Sequence, residues 1–340
     1  MTRDHERLLG ESPAFLQVLE SVSQIAPLVK PVLVVGERGT GKELIASRLH
    51  FLSERWDAEF VKLNCAAISD SLLESELFGH EAGAFTGATR MHKGRFERAD
   101  GGTLFLDELA TTSVLVQEKI LRVIEYGEYE RVGGSRTLKT NVRLIAATNE
   151  DLPHLASNGR FRQDLLDRLA FDVITLPPLR ERRDDILILA EQFAINMASE
   201  LKHPLFAGFS PRAQQALVEY AWPGNVRELK NVIERCVYRN AEPDKPVDEV
   251  VFDPFASPFR PRKDGADGPA ASAPTADPTA LAPLPIDLKA EAQRFEIELL
   301  QRAMREARFN QRKAAELLSL TYHQLRGYLK KYDLLRSGEA

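Results

Sequence analysis

The sequence predicts an α/β unit, a parallel sheet flanked by helices, followed by an all-helical section and a small separate all-α domain. Three observations predict it. Up to Leu176, short apolar runs alternate with stretches of helical periodicity, the pattern of parallel strands covered on both faces. After Pro177-Pro178 only helical periodicity remains. From about Ala256 to Pro285 the chain is Pro, Ala, Gly, Ser and Asp with few large apolar residues, so it cannot bury enough surface to offset its ordering entropy and reads as a flexible linker. The divisions expected are 1–176 for the α/β part, 177–255 for a helical lid, 256–285 for the linker and 286–340 for the terminal domain.

Each element follows from its residues. Pro31-Val32-Leu33-Val34-Val35 is an apolar run ending at glycine, which suits a buried parallel strand. Glu43 to Leu52 has helical periodicity. Phe60 to Leu63, Thr103 to Leu106, Val142 to Ala147 and Phe171 to Leu176 supply four further strands. Helices are expected over Asp184–Glu200, Pro211–Tyr220 and Asn225–Arg239. In the terminal domain Ile286–Arg308 is a long amphipathic helix and Asn310–Leu318 a second, with Ala314 and Ala315 small enough for close helix packing. Ser319-Leu320 turns the chain, and Thr321 caps a third helix, Tyr322–Lys331.

Composition sets outer limits. A length of 340 residues allows roughly two or three domains, and 44% hydrophobic with 28% charged residues is ordinary for a soluble globular protein. No apolar run reaches the roughly 18 residues of a membrane span, and Met-Thr-Arg-Asp-His-Glu-Arg at the start has no apolar h-region. Cys65 and Cys236 lack metal-ligand spacing and make no disulfide framework, so a cytoplasmic location is expected. The net charge of -5 argues against nucleic-acid binding over the whole surface. Between Arg302 and Arg336, however, nine Lys/Arg stand against three Asp/Glu, a local charge of +6.

Gly36-Glu37-Arg38-Gly39-Thr40-Gly41-Lys42 fits the phosphate-binding pattern G-x-x-x-x-G-K, after a strand and opening a helix. Its glycines let backbone N–H groups turn to phosphate oxygens, and Lys42 is expected at the β/γ-phosphates of ATP. Glu43 stands where Ser or Thr usually helps hold Mg²⁺, which leaves ligation by residue 43 open. Asp107 and Glu108 end the Leu104-Phe105-Leu106 strand, Asp107 for the Mg²⁺ shell and Glu108 to orient and deprotonate water. Between these motifs lies Gly83-Ala84-Phe85-Thr86-Gly87-Ala88, small residues around one aromatic with no charge, which reads as a mobile loop with a Phe-Thr tip.

With that hexapeptide on a phosphate-loop unit, the chain resembles the bacterial enhancer-binding activators of sigma-54 RNA polymerase, in which this loop grips the sigma factor. The resemblance runs from about Leu8 to Leu335 and implies an AAA+ P-loop ATPase with an α-helical lid and a Fis-type helix-turn-helix. It implies that Thr148-Asn149 senses the γ-phosphate, and that Asn64 bonds the strand-end glutamate and couples nucleotide state to the loop. By the same resemblance Arg162 and Arg168 are fingers entering a neighbouring subunit of a homo-hexamer, and Arg227 in Asn225-Val226-Arg227-Glu228-Leu229 contacts nucleotide in cis. Tyr126 to Gly134 is similar to a second pore loop that moves with the hexapeptide.

The third terminal helix exposes Tyr322, His323, Gln324, Arg326 and Lys330; with Arg312 these are the expected contacts to enhancer double-stranded DNA. The activators usually carry an N-terminal sensory domain, whereas here the ATPase begins within about ten residues of Met1. That is similar to the phage-shock (membrane stress) type, which is restrained by a separate inhibitor protein, and Trp56 is the expected inhibitor contact. A general AAA+ motor would carry aromatic-hydrophobic or basic pore tips, which Phe85-Thr86 fits poorly. Intact Lys42, Asp107 and Glu108 argue against a non-hydrolysing DNA switch.

Overall fold

The computed structural model describes residues 8–240, 242–255, 288–307 and 310–332. It contains two compact units, Met1–Pro258 and Phe259–Ala340. The expected linker falls outside the described residues, as do the outer ends of the first terminal helix and the basic residues Arg308 and Arg336.

The first unit has strands β1 (Val32–Val35), β2 (Phe60–Asn64), β3 (Thr103–Asp107), β4 (Glu128–Glu130), β5 (Thr137–Lys139), β6 (Arg143–Thr148) and β7 (Val173–Thr175). Five form one sheet in the order β2-β3-β6-β1-β7, all parallel, and they are the five the apolar runs predict. The remaining two, β4 and β5, pair as an antiparallel hairpin where the sequence reads only as a loop. Around them lie α1 (Pro13–Ile25), α2 (Lys42–Phe51), α3 (Asp70–Phe78), α4 (Arg95–Arg98), α5 (Val114–Tyr126), α6 (Leu152–Ser157) and α7 (Gln163–Leu169).

Alternation along the strands divides the core. Leu33, Leu104, Leu106, Leu144 and Ala146 face Leu73, Leu77, Ile120, Leu155 and Leu165 of α3, α5, α6 and α7. Val34, Phe105, Ile145 and Ala147 face Val18, Val22, Ile45 and Leu49 of α1 and α2. Burial on both faces is why these strands read as continuous apolar runs rather than alternating ones. Each fully buried Leu or Ile side chain contributes about 1.5–3 kcal/mol.

One charge sits inside this core. Arg143, at the start of β6, is buried and donates to the carbonyls of Ala26 (2.7 Å), Ile25 (3.2 Å) and Leu49 (3.3 Å). Those carbonyls end α1 and lie near the end of α2, so the guanidinium takes up orphan acceptors and faces the negative ends of two helices. Burial, with the Arg55 cation adding, brings its pKa down to about 10. Beside it the buried His50 shares a 3.0 Å hydrogen bond with Thr103 and stacks on Phe60.

The lid is α8 (Asp184–Glu200), α9 (Pro211–Glu219) and α10 (Asn225–Arg239) around Trp222, Leu217, Leu229 and Ile233. Trp222 is fully buried and donates its indole N–H to the Leu217 carbonyl at 2.8 Å. The second unit is α11 (Leu288–Glu306), α12 (Gln311–Leu317) and α13 (Tyr322–Lys331). Its core holds Leu300, Ala314, Ala315, Leu325 and Leu329, with both alanines buried at the α12 contact. Among the described residues no helix is long and apolar enough to cross a membrane, and both cysteines are free and buried.

Candidate functional site

The site forms at the carboxyl ends of the central strands, where β1 lies between β6 and β7 and successive connections leave in opposite directions. That switch point is where open α/β sheets hold ligands. After β1 the chain turns through residues 36–41 and enters α2 at Lys42, with Gly39 and Gly41 in left-handed backbone (φ +79° and +100°). A Cβ on Gly39 would collide with the Gly224 carbonyl of the lid. Lys42 is largely buried and donates from Nζ to the carbonyls of Gly36 (2.8 Å) and Glu37 (3.3 Å). Burial lowers its pKa, opposed by the Glu108 and Asp107 carboxylates.

Asp107 closes β3 directly opposite Asn64 in the β2–β3 register. Burial raises its pKa, with Lys42 pulling the other way. Glu108 follows in left-handed backbone (φ 54°), a sparsely populated conformation for a non-glycine residue, and its N–H donates to Asp107 Oδ1 at 3.0 Å. Asn64 does not bond Glu108 as the resemblance implies. Its amide lies 3.3 Å from Asp107 Oδ2, because direct strand pairing sets 64 against 107 while Glu108 has left the ladder. The neighbouring Cys65 thiol is pushed up to about 12 by burial and by the two carboxylates, so it stays protonated.

Thr148 and Asn149 separate at the end of β6. Thr148 is fully buried and accepts from the Glu150 N–H at 3.0 Å, whereas the Asn149 side chain is exposed. Glu43 pairs with Lys62 at 2.9 Å.

The lid closes over the loop with the expected Arg227 and with three residues to which the sequence alone assigns no role, Arg180, Arg182 and Asn225. Arg180 makes two parallel bonds to Glu37, at 2.6 and 3.0 Å, and the buried Asn225 adds a third at 3.0 Å. Hydrogen bonds from Arg180 and then Asn225 bring the Glu37 carboxyl down to about 2. Arg182 reaches the Thr40 carbonyl at 3.3 Å, and the Arg227 N–H reaches the Gly39 carbonyl at 3.3 Å. Arg180 and Arg182 stand in Leu-Arg-Glu-Arg just after the paired prolines, a basic run at the head of the lid that by itself marks no partner.

Arg162 and Arg168 are held elsewhere. Arg162 forks onto Asp164 at 2.7 and 3.0 Å, and Arg168 donates to Glu125 of α5 at 2.8 Å.

The hexapeptide is a compact turn closed by Gly83 N–H to the Ala88 carbonyl at 2.7 Å, with Gly83 and Gly87 at φ +84° and +102°. Phe85 is 42% exposed and Thr86 is exposed, while Ala88 is buried. The Phe85 ring rests on His80 with centroids 4.9 Å apart. Arg131, just past β4, bonds Glu81 (2.8 Å) and Glu97 (2.7 Å), so this segment touches the base of the turn. Trp56 is 62% exposed in the turn after α2, where Arg55 is anchored on the Gly102 and Asn141 carbonyls.

In the second unit Arg312, Tyr322, His323, Gln324, Arg326 and Lys330 are all exposed. Gln324 has a local duty, since its Oε1 accepts from Thr321 N–H and Oγ1, both at 2.9 Å, in a capping box that starts α13. Its amide N–H groups are outside that box.

Comparison with known proteins agrees with this geometry. Residues 8–175 match the sigma-54 interaction domain, 180–253 the AAA+ ATPase lid domain, and 292–332 the bacterial regulatory protein Fis family. The Psp operon transcriptional activator of Escherichia coli (strain K12) is 60% identical over 334 residues, 98% of this chain and 100% of that protein. The transcriptional regulatory protein ZraR of Salmonella typhimurium is 52% identical over 230 residues, 68% of this chain but 52% of that protein, so the chain spans about half of that relative. The crystal structure of NtrX from Brucella abortus in complex with ATP superposes with a TM-score of 0.67 at 33% identity, covering 96% of this chain and 69% of that one. The chain therefore belongs to the sigma-54-dependent bacterial transcriptional activators, joining an AAA+ ATPase with a helical lid to a Fis-type helix-turn-helix for DNA.

Proposed function

We propose that the protein binds enhancer DNA, assembles as a hexamer in the cytoplasm, and spends ATP hydrolysis on opening sigma-54 RNA polymerase complexes at a phage-shock operon. The observation that carries this reading is the exposed, uncharged Phe85-Thr86 tip on a glycine-flanked turn in the same unit as the phosphate loop. Residues 83–88 meet the sigma factor, and the Arg131 bonds to Glu81 and Glu97 link that turn to the segment following β4.

For the chemistry, residues 36–42 hold the ATP phosphates and Lys42 faces the β/γ oxygens. Asp107 is the donor for Mg²⁺. It fits a divalent cation, since burial and the nearby Glu43 carboxylate raise its pKa and a bound dication would offset that cost. Bound Mg²⁺ neutralises phosphate charge. Glu108, set off the strand by its left-handed backbone, takes the proton from the attacking water. Asn149, the exposed member of its pair, senses the γ-phosphate, with Thr148 shaping the turn behind it. Arg227 contacts nucleotide in cis, and Arg162 and Arg168 do so from the neighbouring subunit.

On DNA, Arg326 and the amide of Gln324 read base edges in the major groove, His323 beside them, while Arg312, Tyr322 and Lys330 hold phosphates. Similarity to the Psp operon activator supports a phage-shock operon as the target. The exposed Trp56 is the anchor for a separate inhibitor protein. One assay tests the whole: open-complex formation by sigma-54 polymerase on promoter DNA with upstream sites, with ATP or a non-hydrolysable analogue. Opening only with ATP is expected, and opening with the analogue overturns the reading.

A further inference from the structure

We infer that Arg180, Glu37 and Asn225 are positioning residues for nucleotide: they strap the lid to the phosphate loop and thereby aim the loop's N–H groups. This rests on residues 36–42 being the nucleotide site.

Four consecutive loop residues are gripped from the lid. The Glu37 carboxylate takes three bonds from Arg180 and Asn225. The Arg38 carbonyl accepts from Asn225 Nδ2 at 3.1 Å, the Gly39 carbonyl from the Arg227 N–H at 3.3 Å, and the Thr40 carbonyl from Arg182 at 3.3 Å. In a planar trans peptide the C=O of one residue and the N–H of the next point in opposite directions. Holding the carbonyls of Arg38 and Thr40 on the lid therefore turns the N–H groups of Gly39 and Gly41 away from it. Those N–H groups are what a phosphate-binding loop offers its anion. The lid thus sets the donor directions before nucleotide arrives, and preorganisation of this kind appears as affinity.

Asn225 is what distinguishes the strap from an ordinary surface ion pair. Its side chain is buried, and Oδ1 accepts from the Leu179 N–H at 2.8 Å while Nδ2 serves Glu37 and Arg38. Its backbone is left-handed (φ 52°), a conformation that asparagine tolerates better than most residues. One amide therefore joins both lid segments, at 179 and 225, to the loop at 37 and 38. The Arg180–Glu37 pair itself is 42% exposed on both sides, where ion pairs add little to folding stability. Its role is geometric, which makes the two effects separable.

The experiment uses the full chain with Arg180→Ala, Glu37→Gln and the double variant, reading ATP hydrolysis kinetics, binding of a fluorescent ADP analogue, and thermal unfolding. Arg180→Ala is expected to raise KM for ATP and Kd for the ADP analogue about fivefold with kcat within about twofold. The unfolding midpoint is expected to stay put, and the double variant to be no weaker than the worse single one, because both act through one strap. Unchanged KM and Kd, additive losses, or losses that only follow a lowered melting temperature overturn the strap. Arg180→Lys keeps the charge without the fork and is expected to fall between parent and alanine variant; parental KM there together with parental KM in Glu37→Gln also overturns it. Lys42→Ala distinguishes the premises. If it hydrolyses ATP like the parent, the loop is not the nucleotide site; if it is inactive while Arg180→Ala keeps the parental KM, the strap alone fails.

Discussion

The Asn64 amide meets Asp107, at 3.3 Å, rather than Glu108. The two residues are register partners across β2 and β3, so the asparagine steadies the carboxylate expected to hold Mg²⁺ and leaves the neighbouring glutamate unrestrained by it. Glu108→Gln is expected to lower kcat by about 100-fold or more while the ADP analogue still binds, the loss typical of a missing general base. Asn64→Ala is expected to cost less, about tenfold, and to weaken Mg²⁺ dependence. Equal losses in the two variants would show that Asn64 acts through Glu108 after all.

Thr86→Ala is expected to keep most ATPase activity and to abolish open-complex formation. Thr86 is exposed on an uncharged turn and has no bond to Lys42, Asp107 or Glu108 among the described residues. Parallel measurement of phosphate release and promoter opening checks this; a matched fall in both counts against a dedicated coupling loop.

Arg162→Ala and Arg168→Ala are each expected to reduce hydrolysis about 10³-fold or more, the scale of an arginine finger. In this structure their guanidinium groups rest on Asp164 and Glu125. Mixed rings of Arg168→Ala and Glu108→Ala subunits should exceed both parents, because each supplies what the other lacks. No gain at any mixing ratio refutes action in trans.

Acid should loosen the ATPase unit through His50. Burial, with the Arg143 cation adding, holds its imidazole below the ordinary value of 6.5. The folded state then binds fewer protons than the unfolded chain. This stability is complete above the unfolded value and declines as pH falls from there through the folded one. The melting temperature is expected to drop as pH falls below about 7, and to drop less in His50→Gln, which keeps a partner for Thr103. An identical drop in that variant moves the cause to another group.

Trp56→Ala is expected to fold and hydrolyse ATP normally and to escape a phage-shock-type inhibitor, since most of its surface lies in solvent. Titration of the inhibitor against ATPase activity reads it. Unaltered inhibition assigns the contact to another surface.

The sheet was legible because buried parallel strands leave apolar runs closed by a glycine, as at Gly36, or an acid, as at Asp107. The hairpin was not. β4 is Glu-Tyr-Glu with only Tyr129 buried, too short for a period to show. In α3, Leu72 is exposed while Ser75 is buried against His80, which blurs the stripe of Leu73, Leu77 and Phe78 in the sequence. At the site, the loop, Lys42, Asp107 and Glu108 announce themselves through local chemistry. The strap does not, since Arg180 and Asn225 stand 143 and 188 residues from Glu37 and only the tertiary fold selects them. Asn64 reads as a strand end, but its partner depends on a register the sequence does not write down.

The chain has two tryptophans, and the fold puts them in opposite surroundings. Trp222 is sealed in the lid core three residues before Asn225, with its indole N–H bonded to Leu217, while Trp56 stands in solvent on the α/β part. The protein therefore carries two native optical probes with separable signals. Trp222 should emit to the blue, out of reach of iodide, and respond when the lid shifts over bound nucleotide. Trp56 should emit to the red, be quenched readily, and report whatever docks on its surface. With Trp56→Phe, any movement of the lid on adding nucleotide would be read from Trp222 alone, without an attached dye.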